Sequence, residues 1–144
     1  MRRARLAIVA RVAGLTLLVS SCSASSVTSA KLDAAIGPTF VRLYAQQQRL
    51  LGHQQVAGPD GSAQCSRTNT TSPHRGAGDD WVCVLNFPYA DGHVQPVYYD
   101  VKVTPTGCYT AAGPAQLVGQ QTERAADGHL ATNPLFEFDG CFAI

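Results

Sequence analysis

Between residues 31 and 51, apolar side chains recur every three or four positions. Leu32, Ile36, Phe40, Leu43, Tyr44, Gln47, Leu50 and Leu51 fall on one side, while Gln46, Gln48 and Arg49 fall elsewhere. That period predicts an amphipathic helix with its apolar stripe turned inward. Gly37-Pro38 interrupts the stripe. Proline suits the first turn of a helix and not its middle. The predicted main helix therefore covers 38–51 and stops at Gly52, with a short turn over 31–36.

Beyond Gly52 the period shortens. Residues 63–67 predict a short strand, and the Ser-, Thr-, Gly- and Pro-rich stretch 68–80 predicts a loop. Residues 81–87 are β-branched and aromatic and predict a strong strand. Asp91-Gly92 supplies the chemistry of a tight hairpin turn. The returning strand, 97–104, alternates plainly: Tyr99, Val101 and Val103 point one way, and Tyr98, Asp100 and Lys102 the other. A turn at 105–107 leads to a third strand starting at Cys108. Gly113-Pro114 opens a short helical turn through Val118, and 135–138 predicts a last strand before Asp139-Gly140-Cys141. Ala126-Asp127-Gly128-His129 repeats Ala90-Asp91-Gly92-His93, but the flanks differ, so this is a reused turn. The fold class is α+β: one N-terminal amphipathic helix on a small antiparallel sheet of four or five strands.

The chain has 144 residues, the size of one domain, and is 45% hydrophobic and 15% charged, a globular composition. The formal charge of +1 is unevenly placed. Arg2, Arg3, Arg5 and Arg11 precede residue 12, where there is no acid, and from Cys22 onward 7 basic and 10 acidic residues give a net of −3. That balance excludes the basic face a nucleic-acid binder needs.

The arginine-rich start, the short apolar run 12–19 and Ser20-Ser21-Cys22 form an export signal. The run is too short to span a bilayer, which takes about 20 residues. Val19-Ser20-Ser21-Cys22 resembles the bacterial lipobox. The resemblance implies a signal over 1–21, a diacylglycerol on the Cys22 thiol as membrane anchor, and an exported protein held on the outer face of the membrane. Residues 22–30 read as a flexible tether and 31–144 as a single domain. Arginine outnumbers lysine nine to two, a bias typical of a high-GC genome.

Four cysteines remain beyond Cys22: Cys65, Cys83, Cys108 and Cys141. An even number outside the membrane argues for two disulfides. Their spacings of 18, 25 and 33 do not suit structural zinc, which favours close pairs. Three connectivities are open. Sequence nearness favours Cys65–Cys83 with Cys108–Cys141, and a strand pairing centred on His74 would place Cys65 opposite Cys83.

Leu43-Tyr44 with Gln47-Gln48-Arg49-Leu50-Leu51-Gly52, the stretch from Gly76 through Trp81-Val82-Cys83, Gly107-Cys108-Tyr109 and the run from Asn133 to Cys141 together resemble a group of small actinobacterial secreted proteins and lipoproteins of unknown function. The resemblance covers about residues 39–142. It implies a helix-plus-sheet module with disulfides. It brings no activity and no catalytic residue.

The remaining chemistry is sparse. His53, His74, His93 and His129 lie in turn-like sequence, and no pair has the i, i+4 spacing of a helical metal site. Asp79-Asp80 with Asp91 or Asp139 offer an acid pair or a calcium site, but the periodic acids of an EF-hand loop are missing, and carboxylates in such sequence ordinarily cap turns. No nucleophile elbow or phosphate-binding glycine loop is present, so neither a catalytic residue, a cofactor nor a metal is expected. A polar loop beside a large aromatic suggests a binding patch at Asp79, Asp80 and Trp81, against the alternative that Trp81 lies buried under the helix. Two functions follow as expectations. One is a membrane-anchored, non-catalytic binding or accessory module whose partner is an envelope protein or glycan. The other is a small cell-wall hydrolase using a histidine and carboxylates, which would need a His and an acid within about 3 Å in a pocket.

Overall fold

The structure is a computed structural model that describes residues 26–53, 57–68, 71–89 and 91–144. The signal segment and Cys22 lie outside the described residues. The order is α1 (Ser29–Leu50), β1 (Ala63–Arg67), β2 (Gly78–Pro88), β3 (Val94–Val103), β4 (Cys108–Ala112), α2 (Ala115–Val118), β5 (Thr122–Arg124), β6 (Leu130–Thr132) and β7 (Glu137–Cys141). Five strands form one antiparallel sheet in the order β1-β2-β3-β4-β7, and β5 and β6 pair as a separate hairpin inserted before β7. The architecture is the expected α+β fold, one helix on one antiparallel sheet.

Strict alternation drives the sheet. Val97, Tyr99, Val101 and Val103 of β3 are buried and the residues between them are not. Trp81, Cys83, Leu85 and Phe87 of β2 point to the same side. The β2–β3 hairpin closes where Asp91-Gly92 predicts it. Gly92 takes a positive φ of 86°, a conformation that favours glycine, and the His93 carbonyl accepts from the Tyr89 amide at 2.9 Å. The last strand departs from expectation: it covers Glu137–Cys141 rather than 135–138. Leu135 is fully buried ahead of it, so the apolar run marks a core plug and not the strand itself.

The helix also departs from expectation. It is one continuous element with Pro38 inside. Pro38 and Ala34, whose carbonyl would otherwise take the missing N–H, both lie on the exposed side. Water can therefore serve that carbonyl, and the usual cost of an internal proline is reduced. Thr28 caps the start, its hydroxyl accepting from the Lys31 amide at 3.3 Å. Residues 26–30 are consequently not tether. Val27 is buried, its carbonyl accepts from Gly76, Ser29 donates to the His74 carbonyl, and Thr28 bridges to Arg75.

The inner faces of helix and sheet make the core. Phe40 is fully buried and meets Tyr44, Phe87 and Tyr99 with ring centroids 5.9–6.5 Å apart, edge-on to Phe87 and Tyr99. Gly37 lets the helix approach the chain ahead of β1: a Cβ there would collide with the Gly61 carbonyl oxygen. Asp33, one turn earlier, accepts from the Cys65 amide at 2.7 Å. Cys65 faces Cys83 across a close, non-hydrogen-bonded pair, with 4.0 Å between Cα atoms. Its N–H therefore points away from β2, and the helix side chain occupies an edge that would otherwise stand open.

Gly37→Ala should lose about 1–3 kcal/mol through overpacking. Gly58→Ala, where a Cβ meets nothing, should change little. Urea unfolding of the oxidised protein checks both, and equal midpoints for the two variants would contradict the close approach.

Candidate functional site

The patch expected at Asp79, Asp80 and Trp81 does not present its aromatic side chain, and the alternative, a buried Trp81, is the one observed. Trp81 is only 1% exposed, and its indole N–H donates to the Gly76 carbonyl at 3.1 Å. Asp80 forms an ion pair with Arg67 at 2.8 Å. The same guanidinium donates to the Arg75 carbonyl at 3.1 Å. Asp79 alone of the three is exposed. These groups brace the loop before β2. The alternation that makes 81–87 a strand also fixes the tryptophan's side, and that side is the core.

The cysteines pair as Cys65–Cys83 and Cys108–Cys141, the favoured connectivity. Each bridge joins direct cross-strand partners. The first lies in the core. The second lies on the sheet's outer face, beside an open depression of about 560 Å³ lined by Lys102, Thr110, Glu137 and Asp139.

The histidines stand in turns. His93 holds Asp91 at 2.8 Å and His129 holds Asp127 at 3.1 Å. In both turns the aspartate also accepts from the histidine amide at 3.0 Å, and hydrogen bonds, first from that amide and then from the ring, hold both carboxyls below the usual carboxylate range. The repeated Asp-Gly-His sequence thus builds the same side-chain contacts twice. Both pairs are exposed, and neither histidine lines the depression beside the Cys108–Cys141 bridge. His53 contacts Gln48, and His74 lies in the exposed loop whose carbonyl receives Ser29. Asp80, Asp91 and Asp139 stand on separate elements with different partners or exposure. Among the described residues no three His, Cys, Asp or Glu groups are placed to hold a metal ion.

One polar cluster lies inside. Gln47 sits on the apolar stripe of α1, and its amide nitrogen donates to the Val118 carbonyl at 2.8 Å and to Asn133 Oδ1 at 2.9 Å. Both Glu123 oxygens are farther, at 3.3–3.4 Å. Two hydrogens face four acceptors, so the carboxylate receives the weakest share. Burial pushes the Glu123 carboxyl up, and the Gln47 hydrogen bond only partly opposes it. Asn133 completes the cluster, donating to Val118 and accepting from the Leu135 amide. The cluster fastens the end of α1 to the segment between β4 and β7. Gln47 within an apolar stripe was its signal in the sequence; Asn133 and Glu123 had none.

Among the described residues no helix covers the outer face of the sheet. Tyr98 is 58% and Val94 57% exposed there, with half-buried Val82 and Val84 on the neighbouring strand. A smaller depression of about 290 Å³ adjoins Val94, lined by Pro59, Asp60, Asn86 and Pro88. No protein-family model, no curated protein and no solved structure matches this chain.

Glu123 holds its proton more tightly folded than unfolded. Its contribution is therefore fully present below about pH 4.5, its ordinary value, and is lost as pH rises through the higher folded value. Glu123→Gln should raise the urea midpoint relative to wild type at pH 7 more than at pH 4. An identical difference at both pH values would contradict the assignment.

Proposed function

We propose that this is an exported, membrane-anchored binding or accessory module of the cell envelope, without catalysis of its own. The observation that carries the reading is the use of all four cysteines beyond Cys22 as cross-strand bridges. Disulfides persist in oxidising compartments, and bridged sulfurs are not nucleophiles. No described helix is long and apolar enough to cross a membrane; the anchor in this reading is Cys22, behind Val19-Ser20-Ser21. Two acyl chains hold stably where one is marginal.

The geometry also favours a module over a hydrolase. The histidine–aspartate pairs lie on exposed turn tips, whereas general acid–base work needs the pair beside a bound substrate. The exposed sheet face with Tyr98 is the surface left for an envelope protein or glycan, since aromatic side chains on a rigid strand contribute much of the energy in such contacts. Residues 39–142 resemble small actinobacterial secreted proteins and lipoproteins, which accords with this reading.

Cys22→Ser should move the protein from the membrane fraction to the medium or leave it as uncleaved precursor. Wild type left soluble, with an unmodified Cys22, would sink the anchor. Purified protein should leave cell-wall fragments and peptides intact. Turnover abolished by His93→Ala or His129→Ala would establish the hydrolase instead.

A further inference from the structure

The structure fixes how far the folded domain can stand from such an anchor. Val27 is buried in the core and its carbonyl accepts from the Gly76 amide at 3.0 Å. Only five peptide steps separate it from Cys22. Fully extended, they reach at most about 18 Å. The Val27 Cα is therefore never more than that from the Cα of Cys22, whose sulfur carries the lipid, and this end of the domain stays close to the anchor.

We propose that the end of the domain holding Val27, the start of α1 and the 71–76 loop rests against the bilayer and meets its anionic headgroups. The proposal rests on lipidation of Cys22. Charge at that end suits the contact. Lys31 stands in the first turn of α1, where no acid is present, although a helix start prefers negative partners. Among the described residues neither Lys31 nor the exposed Arg75 has an ion-pair partner. Lys31, Arg67 and Arg75 balance Asp33, Asp79 and Asp80 locally. The other 4 basic and 7 acidic residues of the chain beyond Cys22 carry its net −3. Turning the Val27 end to an anionic surface thus places its locally balanced charges, Lys31 and Arg75 with the exposed Asp79 among them, on the headgroups and keeps the net-acidic remainder away. The Asp91 and Asp127 turns then project from the bilayer, and the Tyr98 face stands at the side, open to a neighbour.

The single tryptophan reports this arrangement, because Trp81 is bonded to Gly76, itself bonded to Val27. The acylated full-length protein would be placed in phosphatidylcholine–phosphatidylglycerol vesicles carrying headgroup-dansylated lipid. Energy transfer from Trp81 should be strong. Inserting about 20 Gly/Ser residues between Ser25 and Ser26 lets the domain drift about 25–30 Å, and transfer should fall at least about twofold. Lys31→Glu with Arg75→Glu, at the native tether length, should lower transfer in these vesicles but not in pure phosphatidylcholine. Vesicle flotation together with weak transfer that is insensitive to the insertion would overturn the orientation while leaving the anchor intact. Transfer unaffected by the charge reversals would overturn the headgroup contact. Failure to float, with no lipid mass on Cys22, would overturn anchor and orientation together.

Discussion

Helix α1 covers only one face of the sheet, and Phe40 stands at the centre of that contact, against Tyr44, Phe87 and Tyr99. The remaining structure follows from bringing those two surfaces together. Gly37 lets the backbones approach, Asp33 binds the exposed side of β1, and Gln47 fastens the far end of the helix to Val118 and Asn133. The three residues occupy successive stretches of one helix. Each satisfies or permits a backbone contact that a purely apolar stripe would leave unmade. Truncating a fully buried phenylalanine typically costs about 3–5 kcal/mol, a large part of the about 5–15 kcal/mol available to a domain.

A sheet covered on one side has two edges and a modest core. The bridges answer the edges. Cys65–Cys83 ties edge strand β1 to β2, and Cys108–Cys141 ties edge strand β7 to β4. They do so on opposite faces, one within the core and one beside the outer depression. Closing separations of 18 and 33 residues contributes about 3–4 kcal/mol each in the loop-entropy description. Oxidation and folding are coupled here: the strands most exposed to fraying are the ones held covalently.

Much of this was legible in the sequence, because alternation and turn chemistry are local signals. Asp91-Gly92 located the hairpin, and the spacing of Cys65 and Cys83 about His74 matches their observed register. What escaped depended on distant partners. Pro38 argued for a helix start, since sequence alone does not show that the Ala34 carbonyl it leaves without a donor lies on the helix's exposed side. Val27 sits among small polar residues and reads as tether, although it is buried and its carbonyl is held by the Gly76 amide. Leu135-Phe136 read as strand because a core plug and a strand share composition. For Trp81, alternation already set its side of the strand, but which side the helix would cover is a tertiary fact, and it took the tryptophan out of the predicted patch. The network at Gln47 needed Asn133 and Glu123, 86 and 76 residues away.

Helix and sheet should therefore unfold as one unit, since neither has another partner for its apolar face. Native-state hydrogen exchange of the oxidised protein tests this directly. Amides of α1 from Ile36 to Gln47 should exchange with the same free energy as those of Cys83, Tyr99 and Val101 in the central strands, and both sets should weaken equally in Phe40→Ala. Helix amides exchanging by a separate, lower-energy opening while the sheet stays protected would contradict the account.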